Sequence, residues 1–118
     1  MIQDEIIGML KTALDKANAP NASASDFDEA LLDLVCVNKL VKNNVVHVDE
    51  IFSALEAEIK TFLNSPLFLK RTKSNTLPTS DGRSIIEINT DSLLPQLHTL
   101  PPLYLKIDFG SIDIPSQD

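Results

Sequence analysis

The chain has 118 residues, 43% of them apolar and 23% charged, which is the composition of one globular domain with a mostly aliphatic core. Its net charge of −7 disfavours nucleic-acid binding, because an acidic protein is repelled by the phosphate backbone. No run of about 18 apolar residues occurs, so the sequence predicts no membrane span.

Cysteine usage and the first residues bear on location. Cys36 is the single cysteine, so no disulfide can form within one chain. Asp4 and Glu5 lie where a secretory signal peptide would be basic. These features predict a reducing, cytoplasmic location, or a virion if the protein is viral.

A first helix is predicted up to Ala17, because apolar residues recur on one face at helical spacing. Pro20 ends it, since proline cannot continue the hydrogen-bond ladder of a helix. The predicted apolar face consists of Ile2, Ile6, Met9, Leu10, Ala13, Leu14 and Ala17.

The second helix is predicted from Ser25 to about Lys42. Ser25 and Asp28 have the spacing of a capping box, in which each side chain accepts from the backbone N–H of the other residue. The helix carries two apolar stripes on roughly opposite sides. The broad stripe consists of Phe27, Ala30, Leu31, Leu34, Val37 and Val41. The narrow stripe consists of Leu32, Cys36 and Leu40.

Two apolar sides indicate that the second helix is central and sandwiched between neighbours. We expect the first helix to cover the narrow stripe. Cys36 is then a buried thiol that behaves as a small hydrophobe rather than as a nucleophile. If the narrow stripe is not covered, it is the predicted surface for a partner.

Asn38 is a polar residue inside the broad stripe. One interpretation is a buried amide that is satisfied by a nearby backbone group. The other is a residue at a helix–helix contact that selects one alignment at a cost in stability. Replacing Asn38 by leucine and measuring the oligomeric state distinguishes the two interpretations.

A third helix is predicted from about Val48 to Asn64, with a single apolar stripe. The connection from Lys42 to Val48 is short, so residues 25–64 are predicted to form an antiparallel helical hairpin. Pro66 closes the third helix. The stripe consists of Val48, Ile51, Phe52, Leu55, Ile59, Phe62 and Leu63.

Strands are predicted after the third helix. A strand over 84–88 follows Asp81-Gly82, a residue pair suited to hairpin turns. Its partner near 75–79 must be an edge strand because of Pro78. Alternation of apolar and polar residues predicts another strand with one apolar face. That face consists of Leu103, Leu105, Ile107 and Phe109.

The predicted fold class is therefore α+β. A three-helix unit over 1–66 is followed by a proline-rich segment over 67–118 with two or three short strands. So few strands are marginal alone, so we expect them to pack on the helical unit or on a neighbouring subunit. Asp91 is predicted to cap a short helical turn that ends at Leu97.

No residues are arranged for catalysis, for a cofactor or for a metal. His47 and Glu50 have a spacing that two metal ligands could share, but they also begin the third helix, where a capping role is predicted. The three glycines lie far apart, which excludes a phosphate-binding loop. The basic cluster at 70–73 is predicted to be a solvated edge.

We expect a non-enzymatic protein that binds itself, as a homo-oligomer, or joins a larger protein assembly, with neither nucleic acid nor membrane as a partner. A small virion or phage structural protein fits this hypothesis. The alternative is a small acidic cytosolic inhibitor or regulator of a basic enzyme or DNA-binding protein, for which binding would depend strongly on salt. The expected interaction residues are Leu32, Cys36, Leu40, Asn38, Leu103, Leu105, Ile107 and Phe109.

Overall fold

The computed structural model describes residues 2–43, 46–89 and 104–114, which form five helices followed by a three-stranded sheet. The predicted α+β class is confirmed. The predicted helical turn that ends at Leu97 lies outside the described residues. The elements are α1 (Ile2–Asn18), α2 (Ala24–Lys42), α3 (Val48–Ala54), α4 (Glu56–Leu63), α5 (Pro66–Arg71), β1 (Lys73–Leu77), β2 (Ile85–Asn89) and β3 (Tyr104–Asp108).

α1 and α2 pack side by side as a helical hairpin, joined by the short connection at 19–23. α2 also contacts α3, α5 and β3. It buries the predicted broad stripe, of which only Val41 is half-buried. The side chains that α1 buries are Ile6, Leu10, Ala13, Leu14 and Ala17, whereas Ile2 and Met9 of its predicted apolar face are exposed.

The N-cap of α2 is Ser23, two residues before the predicted Ser25. The Ser23 hydroxyl accepts from the Asp26 backbone N–H at 3.1 Å, and the Asp26 carboxylate accepts from the Ser23 backbone N–H at 3.0 Å. The Ser23 backbone N–H, and after it the Ser23 hydroxyl, favours the charged carboxylate and holds the pKa of Asp26 below its ordinary value. The prediction of a capping box on Ser25 and Asp28 was wrong, because two overlapping pairs have the required spacing and Asp28 instead pairs with Arg71.

The predicted third helix is divided into α3 and α4 at Leu55, whose backbone has φ −119° and ψ 20°. The Leu55 N–H donates to the Phe52 carbonyl at 3.1 Å, one residue closer than in an α-helix. The predicted apolar stripe is buried along its whole length. The expectation of one continuous helix was wrong, because a break at a buried residue leaves the apolar pattern unchanged.

α5 was not predicted, although its start carries a known signal. The Ser65 hydroxyl accepts from the Phe68 backbone N–H at 3.2 Å, and Pro66 occupies the first helical turn, where its missing N–H is not needed. Phe68 is fully buried against Phe27 and Phe62, with ring centroids 5.6 to 6.1 Å from its own. Pro66 therefore follows the end of α4, as predicted, and also begins α5.

The sheet is antiparallel, in the order β1-β2-β3. β1 is an edge strand, as Pro78 predicts, and it begins two residues before the predicted position. In the connection that follows, Gly82 has φ +75°, a conformation that glycine adopts without strain. The predicted strand pair around Asp81-Gly82 and the later alternating strand are both confirmed.

The sheet lies on the helical unit of the same chain. Its buried side chains belong to the same core cluster as those of the helices. Phe109, just after β3, packs on Phe52 of α3 with ring centroids 5.3 Å apart. The other buried residues of the sheet are Ile86, Ile88 and Ile107.

Candidate interaction surfaces

The narrow stripe of α2 is largely exposed. Leu32 keeps 44% of its accessible surface, Cys36 is exposed, and Leu40 is half-buried at the edge of the core. The expectations that the first helix covers this stripe and that Cys36 is buried were wrong. α1 packs on the other side of α2, where the broad stripe offers larger side chains. Leu32 and Cys36 therefore form an apolar surface that α1 does not use.

Charges are divided along α2 on either side of Cys36. Glu29 and Asp33 precede it, and Lys39 and Lys42 follow it within the last two turns. Partial burial raises the pKa of the Asp33 carboxyl above its ordinary value, and the negative charge of Glu29 raises it further. One end of the stripe is therefore flanked by acids and the other by bases.

Asn38 joins α2 to the sheet. It is 8% exposed, and its amide nitrogen donates to the Asp108 carbonyl at 3.0 Å while its amide oxygen accepts from the Asp108 backbone N–H at 2.7 Å. The interpretation of Asn38 as a buried amide satisfied by backbone is confirmed. The amide presents one donor and one acceptor to the edge of β3, as a neighbouring strand would.

The Asp108 side chain stabilises the same junction. Its carboxylate accepts from Arg83 Nε and from the Gly110 backbone N–H at 2.9 and 2.8 Å. The hydrogen bond to Asp108 raises the pKa of the Arg83 guanidinium above its ordinary value. Asp108 thereby links the turn after β3, the connection before β2 and helix α2.

A second junction connects the turn after β3 to the start of α3. The Asp49 carboxylate accepts from the Ser111 backbone N–H at 2.9 Å. Gly110 has φ +70°, and a Cβ at this position would collide with the Asp49 carboxylate. A side chain here would displace the Asp49 carboxylate from Ser111, and the positive φ favours glycine independently.

Arg71 at the end of α5 contacts α2. Its guanidinium donates to both carboxylate oxygens of Asp28, at 2.9 and 3.2 Å, and lies 5.5 Å from the centre of the Phe27 ring. The prediction that the basic cluster at 70–73 is a solvated edge therefore holds for exposed Lys70 and Lys73 but not for Arg71. Arg71 anchors α5 instead.

A groove of about 300 Å³ runs between the C-terminal half of α2 and the outer edge of β3. Three lysines approach it from two elements that are distant in the sequence, so no local motif could have predicted it. The lining residues are Val35, Asn38, Lys39, Lys42, Leu105 and Lys106.

The remaining predicted residues have different positions. Leu105 lines the groove and is half-buried, whereas Ile107 and Phe109 are fully buried in the core. Leu103 lies outside the described residues. His47 is the N-cap residue of α3 and Glu50 lies in its first turn, as predicted, although the His47 side chain makes no capping hydrogen bond.

The residues that the structure describes form neither a cluster of metal ligands nor a membrane-spanning helix. These residues contain no group of three or more His, Cys, Asp or Glu side chains that could hold a metal ion. None of their helices is both long and apolar enough to cross a membrane. No family model, curated protein or solved structure matches the chain.

Proposed function

We propose that this protein is a non-enzymatic assembly subunit that associates with a second copy of itself through the narrow stripe of α2. The observation that carries the proposal is the exposure of Leu32 and Cys36 on a helix whose other side is fully packed. Covering such apolar surface is favourable by about 25 cal/mol for each Å² removed from water. A virion or a cytoplasmic complex built from such copies would provide the setting.

Two copies of α2 fit best in antiparallel orientation about Cys36. Leu32 of one copy then lies at the height of Leu40 of the other, because both are four residues from the centre. The acidic turns that contain Glu29 and Asp33 lie beside the basic turns of the second copy, which gives favourable electrostatic pairing along the contact. A parallel arrangement would place acids beside acids.

The charges within the chain favour this proposal over an inhibitor of a basic protein. Of the chain's 17 acids, four in the described residues pair with bases of the same chain: Asp15 with Lys11, Glu56 with Lys60, Asp28 with Arg71 and Asp108 with Arg83. A surface designed for a basic partner would leave its acids free for that partner. The apolar stripe is the stronger candidate for recognition.

Cys36 provides a direct test by crosslinking. As the single cysteine, it lies at the centre of the proposed contact, so mild oxidation or a short bismaleimide should link two chains through Cys36. We expect a covalent dimer on a non-reducing gel, with strong suppression by Leu32→Glu. A yield that is unaffected by Leu32→Glu would indicate random collision and contradict the proposal.

Light scattering tests the association without covalent chemistry. The mass of the wild type should rise with concentration, and Leu32→Glu should hold the chain at the monomer mass of 13.0 kDa. Met9→Glu is the matched control, because Met9 is an equally exposed apolar residue on α1. A wild type that remains monomeric at millimolar concentration, or equal effects of both variants, would refute association through α2.

A further inference from the structure

We propose that the groove between α2 and β3 binds an extended acidic segment of a partner protein, which adds to the sheet as a fourth strand beside β3. The groove lies between α2 and β3, and its apolar lining, Val35 and Leu105, is separate from Leu32 and Cys36 of the narrow stripe. Lys39 and Lys42 border both surfaces, so peptide binding is tested where the chain is monomeric. This inference specifies a second contact and the chemistry of its occupant.

Backbone geometry provides the first argument. The Asp108 N–H and C=O bond to the Asn38 side chain and so point away from β2. Backbone groups of residues two apart on a strand point to the same side, so those of Lys106 also point away from β2. No strand of the described chain pairs with β3 on this side. Lys106 therefore offers a donor and an acceptor to an incoming strand.

Charge provides the second argument. Lys39, Lys42 and Lys106 line the groove, and none of them forms an ion pair with another described residue. Glu87, opposite Lys106 in the β2–β3 ladder, offsets part of this charge. These three lysines lie together in a chain of net charge −7. They attract an acidic segment and repel a basic one, so an acidic occupant is favoured.

Apolar surface provides the third argument. Val35 from α2 and Leu105 from β3 are both half-buried and lie in the lining of the groove. Alternate side chains of an added strand point to opposite sides, so apolar residues can enter the groove while acidic residues face the lysines. The best occupant therefore alternates acidic and β-branched residues.

The first experiment uses synthetic peptides on the full chain. A fluorescein-labelled, N-acetylated Glu-Val-Glu-Val-Glu-Val peptide should bind saturably in low salt, as measured by fluorescence anisotropy. The matching Lys-Val repeat and an oligothymidine of equal length are the comparison probes. Absence of binding by the acidic peptide, or equal binding of either comparison probe, would overturn the proposal.

The second experiment separates strand addition from simple charge attraction. Methylating alternate backbone nitrogens of the acidic peptide removes hydrogen-bond donors from one of its edges without changing its charge. Binding should weaken by at least about tenfold, which corresponds to about 1.4 kcal/mol. Unchanged affinity after methylation on either edge would show that no strand is added.

The third experiment places the peptide in the groove. Lys42→Gln with Lys106→Gln should weaken binding by at least about tenfold, whereas the control Lys16→Gln with Lys70→Gln should not. Lys106→Pro and Lys106→Gln leave the same charge, but only proline also removes the outward N–H, so Lys106→Pro should weaken binding more. The strand should stay folded, because proline is tolerated on edge strands. Equal losses in the two double variants would exclude this groove as the site.

The readouts keep this inference separate from the proposed function. Peptide binding is measured by anisotropy at chain concentrations that light scattering shows to be monomeric. There Leu32→Glu should retain it, because Lys39 and Lys42 then have no second copy to pair with in either protein. Loss of peptide binding in Leu32→Glu would show that the peptide occupies the narrow stripe instead, and would overturn the assignment to the groove.

Discussion

The two halves of α2 are fixed in different ways. The N-terminal half is held by apolar packing, with the Phe27 ring stacked on Phe62 at 5.2 Å between centroids. The C-terminal half is held at Asn38 by two directional hydrogen bonds to one strand residue. Packing supplies more free energy, whereas hydrogen bonds define the alignment because they tolerate little displacement. The comparison predicts that substitutions in the two halves differ in size and in kind.

The largest effect is expected in the N-terminal half. Phe27→Ala should lower the free energy of unfolding by about 3–5 kcal/mol, because it removes a fully buried ring and leaves a cavity among Phe62, Phe68 and Arg71. Chemical denaturation measures it. Leu32→Ala on the same helix is the control and should change stability by less than about 0.5 kcal/mol, as expected at an exposed position. Similar costs at both positions would contradict the division of α2 into a packed and an exposed side.

A smaller effect is expected at Asn38. Asn38→Leu should cost about 1–3 kcal/mol, because the backbone N–H and C=O of Asp108 lose their partners. Amide hydrogen exchange should show faster exchange at Asp108 than in α1. Asn38→Asp keeps the acceptor for the Asp108 N–H and removes the donor to the Asp108 carbonyl. It also places a charge at a buried position, so any cost above that of Asn38→Leu measures the burial of that charge. A fully stable Asn38→Leu protein with unchanged exchange would show that packing alone aligns the sheet.

The start of α2 sharpens the comparison further. Ser23→Ala should cost about 1 kcal/mol, because the hydroxyl is the acceptor for the Asp26 N–H. Ser25→Ala is the matched control and should be nearly neutral, because Ser25 lies inside the helix and is exposed. The lowered pKa of Asp26 adds stability that is present above its ordinary value and is lost as the pH falls through the lowered pKa. If Ser25→Ala cost more stability than Ser23→Ala, Ser25 would be the N-cap instead.

The smallest effect is expected between the two halves, at Asp33. Its raised pKa means that the folded protein favours the neutral carboxyl, so the charged form is slightly unfavourable at pH 7. Asp33→Asn should therefore raise the free energy of unfolding of the monomer slightly. The gain should stay within about 0.5 kcal/mol, because the group is mostly exposed and screened. The gain should shrink as the pH falls through the raised pKa and vanish below the ordinary pKa, where Asp33 is neutral in both the folded and the unfolded chain. A destabilising Asp33→Asn at low protein concentration would reverse this assignment.

Sequence patterns predicted the elements better than their limits and neighbours. The stripe that ends in Leu63, the strand over 84–88 and the buried amide of Asn38 followed from periodicity and chemistry, which are local. The start of α2 did not, because Ser23 and Ser25 both precede an aspartate by three residues. The exposure of Cys36 did not either, since an apolar stripe shows that a face can be buried but not which neighbour covers it. The lysine groove joins α2 to β3 across more than 60 residues, beyond the reach of any local pattern.

The break at Leu55 has a consequence for motion. α3 and α4 have 7 and 8 residues, and helices this short are not stable in isolation. The ladder of backbone bonds between them is interrupted at Leu55. Although α3 and α4 touch each other, α3 packs mainly on α1, α2 and Phe109, and α4 on α1, α5 and Phe27. The two should therefore open as separate units, with amide protons of α3 responding to changes in the sheet while those of α4 do not. A single helix across these residues would couple the two, and we expect the break at Leu55 to weaken that coupling.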